Sequence, residues 1–200
     1  AVDISGFYES DIQSYRNYDG IVRAGLNISN IGPKMKYSKT NNGTESFLPT
    51  NLRIGSGFEF NFDNNNSFTV SFELNKLLVP SPSEEVFNVN GDIVAYRQPD
   101  TGFLEGIFNS FNDAPDGFSE ELKELTYSLG LEYSFNESFF LRSGYFSEHQ
   151  LKGSRKFITL GTGFNTARDL KIDLSYLIST SDVISPLENT LRLSLGFNFQ

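Results

Sequence analysis

Apolar and polar residues alternate along most of the chain with a period of two. In residues 51–62 the apolar side chains lie at even-numbered positions and the polar side chains mostly at odd-numbered positions. The two sets of alternate positions of a strand are called its apolar parity and its polar parity below. The same alternation runs through residues 66–78, 124–135, 169–179 and 189–199. Because successive side chains of a β-strand point to opposite faces, the pattern predicts strands that each have one apolar and one polar face.

Ten strands are predicted in this way, several of them 10 to 13 residues long. Their predicted ranges are 1–8, 21–29, 33–39, 50–62, 66–78, 124–135, 138–148, 155–165, 169–179 and 189–199. Strands of globular proteins usually have about 5–6 residues, whereas a tilted strand that crosses a bilayer needs about 9–11. The lengths therefore favour membrane-spanning strands.

The predicted connections alternate between tight and long. The tight turns are 30–33, 63–66, 136–137 and 166–168, and the long loops are 40–49, 79–123, 149–154 and 180–188. An up-and-down meander places alternate connections at opposite ends of its strands. Outer-membrane barrels have short periplasmic turns and longer external loops, so the alternation points to the same class.

Alternation alone leaves open where the apolar face points, because a soluble lipocalin-like barrel turns it inward and a membrane barrel turns it outward. Three features favour the outward orientation. The apolar parity of the strands carries almost no charge, and its exceptions are Lys76 and Lys156. Both lie at strand ends next to long loops, so their ammonium groups are expected to extend, or snorkel, to the membrane–water interface. The polar parity carries charges of both signs, and the chain closes on an alternating aromatic strand with Phe199 one residue from its end.

These patterns predict one all-β domain over residues 1–200, a transmembrane antiparallel up-and-down β-barrel with about ten strands. Residues 79–123 are predicted to be a long extracellular acidic loop that contains short helices. The longest apolar run, residues 93–96, is far shorter than the roughly 20 residues of a membrane-spanning helix.

Composition excludes several kinds of chemistry. The chain has no Cys and one His, so it offers no thiolate metal site and no cysteine nucleophile. Its net charge of −9 argues against nucleic-acid binding, which needs a basic face. His149 beside Glu148 does not make a metal site, and the oxygen-rich segment 63–66 is predicted as a tight turn. We therefore expect no catalytic residue, no cofactor and no metal.

The long loop concentrates the charge of the protein. Residues 81–122 contain one base and nine acids, so nine minus one gives −8 of the total −9. The acids are Glu84, Glu85, Asp92, Asp100, Glu105, Asp113, Asp116, Glu120 and Glu121. Two interpretations remain open: a docking face that attracts a basic partner, or an external loop that is acidic because it is solvated.

Apolar residues in this loop fall at helical spacing. Their positions i, i+1, i+4, i+5 and i+8 predict a helix of about ten residues, which Pro115 and Gly117 would end. Ser119 is predicted to cap a second helix, residues 120–125. The apolar helix face either docks a partner or packs on the mouth of the barrel. The candidate partner-binding residues are Phe103, Leu104, Ile107, Phe108, Phe111, Asp113, Asp116, Glu120 and Glu121.

Seven segments carry a resemblance to a known family. They are Gly25–Gly32, Leu48–Ile54, Leu74–Pro80, Ser110–Glu124, Arg142–Tyr145, Lys171–Leu177 and Ser185–Arg192. In combination they resemble PorV, the outer-membrane barrel of the type IX secretion system of Bacteroidota, which is itself related to the long-chain fatty-acid transporter barrels. The resemblance extends over nearly the whole chain.

The resemblance implies a fourteen-stranded barrel with an N-terminal plug, of which this chain would be the C-terminal portion without the first strands. It implies a non-enzymatic protein-transport role in the outer membrane, in contact with outer-membrane lipid. Such barrels bind the type IX translocon barrel, hold secreted cargo by its C-terminal signal domain, and shuttle it to a sortase-like attachment complex.

Two other functions remain open from the sequence. An outer-membrane transporter of hydrophobic small molecules, such as long-chain fatty acids, would bind its ligand near Phe140 and Phe146. A soluble lipid-binding barrel would instead bury the apolar faces of the strands.

Overall fold

A computed structural model describes the chain except for residues 37–44, 64, 82–83, 88–89, 98–99, 115–116, 167–169, 182, 184 and 198–200. Its strands are β1 (Val2–Glu9), β2 (Gln13–Ser14), β3 (Asp19–Ile31), β4 (Met35–Lys36), β5 (Glu45–Ser46), β6 (Asn51–Asn61), β7 (Asn66–Leu77), β8 (Glu84–Phe87), β9 (Ile93–Arg97), β10 (Thr126–Phe135), β11 (Phe139–Ser147), β12 (Lys156–Asn165), β13 (Leu170–Ser179) and β14 (Leu191–Phe197). Two short helices follow β9, α1 (Phe103–Asn109) and α2 (Phe118–Glu121). Among the described residues, no helix is long and apolar enough to cross a bilayer.

The long strands form one sheet in chain order. The order is β1–β3–β6–β7–β10–β11–β12–β13–β14, with β2 paired to β3. All neighbours from β10 to β14 pair antiparallel. Two small ribbons, β4–β5 and β8–β9, lie in the connections. The predicted all-β antiparallel meander is confirmed, as are the tight turns at 63–66 and 136–137, whereas most of the predicted turn 166–168 lies outside the described residues.

The predicted strand 33–39 is wrong. Asn30 has a φ of 59°, which turns the chain out of the ladder, and β3 ends at Ile31. Pro33 has no amide hydrogen to donate to a neighbouring strand. Only Met35 and Lys36 of the predicted strand are described as β-structure, paired with β5, and residues 37–39 lie outside the described residues. The sheet therefore passes from β3 directly to β6.

The apolar faces of the strands are exposed. The described part of the chain has few buried hydrophobic residues, namely Leu78, Ala114 and Phe157. In contrast, Leu129 and Leu174 are each 41% exposed and Leu195 is 59% exposed, and Phe72 is exposed as well. Phe58 is half-buried against the ring of Phe60 at a centroid distance of 4.5 Å. A soluble barrel would bury this set of side chains, so their exposure favours strands that face lipid.

The chain forms two compact units. The first consists of Ala1–Gly6, Leu26–Arg53 and Asn75–Leu125, and the second of Phe7–Gly25, Ile54–Leu74 and Thr126–Gln200. The first unit contains both helices, and most of the strand-borne ion pairs lie in the second. The candidate docking residues therefore belong to the first unit.

Candidate partner-docking site

One side of helix α1 packs within the first unit. Gly106 is buried, and Phe103 and Ile107 are half-buried on the same side. A Cβ atom on Gly106 would lie 2.6 Å from Cε1 of Phe47 and 3.0 Å from Cγ of Pro80. Glycine is the residue that allows α1 to approach these two side chains so closely.

An exposed apolar row runs along α1 and continues just past its end. Leu104, Phe108 and Phe111 lie at i, i+4 and i+7, and are 54%, 72% and 47% exposed. Phe118 at the start of α2 and Leu122 just after it are also exposed. These five residues are called the apolar patch below. Exposed large apolar side chains, where they are contiguous, are typical of surfaces that contact another molecule.

The predicted helix is present, but its apolar residues divide between two sides. Phe103 and Ile107 pack inward, while Leu104, Phe108 and Phe111 are exposed. The helix has seven residues and ends at Asn109, so it is shorter than predicted. The burial of Phe103 and Ile107 fits the packing alternative, and the docking role of the exposed residues remains a prediction.

The predicted cap of the second helix is wrong. Gly117, not Ser119, is the N-cap of α2, with a φ of 71° and a ψ of −154°. This backbone conformation is open to glycine and strained for other residues. Of the acidic candidate residues, Glu121 is buried and Asp113 and Glu120 are half-buried. Asp116 lies outside the described residues, and so does Pro115, which was predicted to end the first helix.

A buried lysine connects the end of β7 to the segment after α1. Lys76 is 6% exposed, and its Nζ donates to Oε2 of Glu121 and to Oε2 of Glu124, both at 2.8 Å. The expectation that Lys76 snorkels to the interface is therefore wrong. The two carboxylates hold its ammonium inside the protein, because a buried charge is stable only when it is paired.

Asp113 completes this group. Oε1 of Glu121 accepts hydrogen bonds from the backbone amides of Asp113 and Ala114, both at 3.0 Å. Oδ2 of Asp113 accepts from the backbone amide of Ser81 at 2.6 Å, while Oδ1 is buried without a hydrogen-bond partner among the described residues. Lys76, Asp113, Glu121 and Glu124 are called the Lys76 cluster below.

The carboxylates of the Lys76 cluster have different electrostatic surroundings. Burial, reinforced by the charges of Glu121 and Glu124, raises the pKa of Asp113. Burial opposes ionisation of Glu121 too, but hydrogen bonds from Lys76 and Ala114 outweigh it and lower the pKa of Glu121. The three carboxylates lie within 4.8 Å of one another, a spacing that could hold a cation. The Lys76 ammonium supplies the positive charge at this place.

Gly106 gives a first test of the packing of α1. Alanine normally favours a helix interior over glycine by about 1 kcal/mol. We expect Gly106→Ala to destabilise the helical segment instead, by about 1–3 kcal/mol, because the added methyl group overlaps Phe47 and Pro80. Hydrogen exchange of the α1 amides in the solubilised full chain measures the effect. Asn109→Ala, an exposed change on the same helix, is the matched control, and equal protection in both variants would contradict the packing.

The polar face of the second unit is organised around two arginines. Arg23 on β3 donates to Glu9 on β1 at 2.6 Å and to Glu59 on β6 at 2.5 Å. Each of these three charged side chains thus forms an ion pair with a side chain on a neighbouring strand. Such pairing suits side chains on a polar face that is enclosed beside a membrane.

Arg142 reaches across a neighbouring strand. It donates to Glu132, its direct partner on β10, at 2.5 Å and also to Asp173 on β13. Strand β12 lies between Arg142 and Asp173, and Gly163 on β12 leaves the space for this contact: a Cβ atom there would lie 2.5 Å from Oδ1 of Asp173. The absence of a side chain at Gly163 therefore makes room for the contact between Arg142 and Asp173.

Two other sequence candidates have local structural roles. Oδ1 of Asp63 accepts from the backbone amides of Asn65 and Asn66 at 2.7 Å each, which confirms the predicted tight turn. Nδ1 of His149 accepts from the amide of Leu151 at 3.2 Å and caps the short 3₁₀ turn Gln150–Lys152.

The comparison with known families bears on the N-terminal part of the chain. Residues 1–84 match the family described as type IX secretion system protein PorV. This N-terminal part, 84 of 200 residues, is therefore similar to the PorV family. The resemblance found in the sequence is confirmed there, and PorV is a secretion-system family, not an enzyme family. No curated protein matches the chain.

The PorV match and the candidate docking surface lie on different parts of the chain. The PorV-matched residues include strands β1 to β7, and therefore Lys76 and Arg23. The apolar patch, with Asp113, Glu121 and Glu124, comes after them in the connection from β7 to β10. The residues proposed for partner binding are thus presented by a loop beyond the PorV-matched segment.

Proposed function

We propose that the chain is a non-enzymatic outer-membrane component of the type IX protein secretion system. It binds the translocon barrel and the C-terminal signal domain of secreted cargo, and it shuttles the cargo to the sortase-like attachment complex at the cell surface. The observation that carries this proposal is the PorV match of residues 1–84, which include five strands of a sheet whose apolar faces are exposed.

The dimensions of the strands support a place in the outer membrane. Strands β10, β12 and β13 each have ten residues and β11 has nine, close to the roughly 9–11 residues of a tilted membrane strand. Their exposed apolar side chains would contact lipid. Their charged side chains, such as Arg142, pair with one another on the other face.

The apolar patch suits a protein partner with an apolar groove and a basic rim. Phe108 and Phe118 are the most exposed of its five members, and aromatic side chains contribute strongly when an interface buries them. The surrounding segment carries most of the net negative charge, −8 of −9, which would disfavour an anionic lipid surface. Complementary charges mainly accelerate association and select the partner, while buried apolar area holds the complex. The mechanism is therefore binding and release, without bond chemistry in the barrel.

The docking role predicts a loss of complexes in a double variant. We expect Phe108→Ser with Phe111→Ser to weaken binding of the translocon or of cargo by roughly thirtyfold or more, and so to lower its recovery, because removing exposed aromatic anchors costs about 2 kcal/mol or more in binding. The chain should still fold, since both side chains are exposed. Affinity purification of the full-length protein from membranes, at equal protein level, measures the recovery. Leu151→Ser, an exposed apolar change in another connection, is the control, and unchanged recovery in the double variant would refute the docking role.

The small-molecule transporter is a less favoured alternative. The Phe140 ring lies 4.9 Å from the guanidinium carbon of Arg142, and the Phe146 ring stacks on Phe157 at 5.8 Å. Both rings proposed to line a ligand site are thus engaged with neighbouring side chains. In a deletion strain, loss of surface-attached cargo with normal fatty-acid uptake would support the carrier. The reverse phenotype would favour the transporter.

A further inference from the structure

The Lys76 cluster connects four segments of the first unit through polar contacts. Lys76 belongs to β7, Asp113 to the segment after α1, Glu121 to α2 and Glu124 to the 3₁₀ turn that follows. The backbone amide of Ser81 adds the chain just after β7. These contacts hold the two helices to the end of β7, although α1 and α2 themselves are only seven and four residues long.

The charges of the cluster do not balance when every group is ionised. One ammonium faces three carboxylates that lie within 4.8 Å of one another, so these four described groups alone carry a surplus of two negative charges. Like charges at this spacing in a partly buried place repel, and one of them is neutralised most easily by taking up a proton. Among the described residues, Oδ1 of Asp113 is buried and accepts no hydrogen bond, so it is the oxygen of the cluster at which a proton would be taken up.

We propose that the Lys76 cluster is a proton-operated latch, in which a proton held by Asp113 keeps α1 and α2 at the end of β7. Closing the latch transfers one proton from water to the Asp113 carboxylate, and opening releases it. No other reactant is involved. The helices carry the apolar patch, so the latch sets how rigidly that patch is presented. This inference stands on the contacts of the cluster and does not depend on the identity of the partner.

The stability of the closed latch depends on pH in two ways, which are called the alkaline limb and the acid limb below. The pKa of Asp113 is raised by burial and by Glu121 and Glu124, so its contribution to the closed state is lost as pH rises through the pKa of the closed state. The pKa of Glu121 is lowered by Lys76 and Ala114 against the effect of burial, so its contribution is lost as pH falls through the pKa of the closed state. Alkaline pH therefore weakens the latch through Asp113, and acidic pH weakens it through Glu121.

The test uses a spin label on α1. Because the chain contains no Cys, Asn109→Cys offers a single labelling site on an exposed position of the helix. The full chain is studied in detergent, and the mobile fraction of the label is measured across a pH series. We expect the ratio of open to closed latch to rise by up to about tenfold per pH unit, the limit for one coupled proton, as pH rises towards the closed-state pKa of Asp113, and to level off above it.

Two variants decide whether Asp113 is the group that titrates. Asp113→Asn mimics the protonated carboxyl and should abolish the alkaline limb, while the acid limb from Glu121 remains. Asp100→Asn, at an exposed acid of the same loop, should leave both limbs unchanged. An alkaline limb that persists in Asp113→Asn, or native mobility that does not change with pH, overturns the proposal.

A further variant covers the case in which Asp113→Asn does not fold. Glu124→Gln removes one negative charge beside Asp113, which stabilises the ionised form of Asp113 and should move the alkaline limb to lower pH. A limb that stays in place or moves to higher pH contradicts the latch. Binding of a partner is not measured in any of these steps, so failure of the latch and failure of the carrier role are separate results.

Discussion

Replacing Lys76 by Met is expected to destabilise the helical segment by about 3–5 kcal/mol, because the change leaves buried acid without its counter-charge. The Lys76 and Glu121 side chains are 6% and 7% exposed, so water cannot take over the solvation of the carboxylate. The backbone amides of Asp113 and Ala114 still donate to Glu121, but they do not replace a full positive charge. We expect the segment to open while the rest of the sheet persists.

Hydrogen exchange of the α1 and α2 amides, measured in the solubilised full chain, reports this loss. Lys156→Met is the matched control, since Lys156 is a half-buried lysine at the first residue of β12, and it should change protection far less. The double change Lys76→Met with Glu121→Gln should recover part of the loss, because the unpaired charge is then removed as well. A double variant as unstable as the single one would contradict the ion-pair explanation.

The long strands were predictable because their determinant is local. Each residue of β6, β7 and β10 to β14 adopts a face according to its parity, and no distant contact is needed to recognise that pattern. The error at residues 33–39 has the opposite origin. Met35 and Lys36 alternate in polarity as a strand would, but which strand lies beside β3 depends on pairing with β6, across a connection that starts at Gly32.

The placement of Lys76 depends on distant partners. Its place in the alternation puts Lys76 on the apolar face, and the sequence alone predicts that such a lysine extends to the membrane–water interface. The structure instead pairs it with Glu121 and Glu124, which are 45 and 48 residues further along the chain. A charge on the apolar parity, beside a loop rich in acids, is the signal that could have suggested an internal ion pair.

The division of the α1 side chains has a similar cause. Residues at i, i+1, i+4 and i+5 cover an arc wide enough for two sides of a helix, so spacing alone does not tell which side is buried. Phe47 and Pro80, which come from earlier in the chain, decide it. Gly106 marked the packed side in the sequence, since a glycine inside a helix is unfavourable unless a close approach requires it.

Arg142 makes one contact that the local sequence predicts and one contact that depends on a distant strand. Glu132 lies directly opposite Arg142 in the hairpin of β10 and β11, so a short turn and a strand period of two suffice to pair them. Asp173 lies two strands away, beyond β12, and its contact depends on the open space at Gly163. A glycine on the charged face of a strand is the only sequence trace of that contact.

The second large effect concerns the face that meets lipid. We expect Leu160→Arg to destabilise the inserted protein by about 2–4 kcal/mol, the cost of a cation on the lipid side of a membrane strand near its middle. Leu160 is the fifth of ten residues of β12 and is 52% exposed. Its neighbour Thr159 points to the polar face, where it borders a groove of about 390 Å³ that also includes Glu73. Thr159→Arg can place its guanidinium in that groove, so it should cost much less.

Urea titrations of the two variants in lipid vesicles compare the faces at the same depth and with the same substituent. The two variants differ only in the face of β12 on which the added charge lies, because adjacent strand residues point to opposite faces. If the apolar side meets lipid, Leu160→Arg lowers the free energy of unfolding well below that of Thr159→Arg. Equal losses, or a larger loss for Thr159→Arg, would mean that the apolar side does not face lipid. The sheet would then lack the orientation on which an outer-membrane role depends.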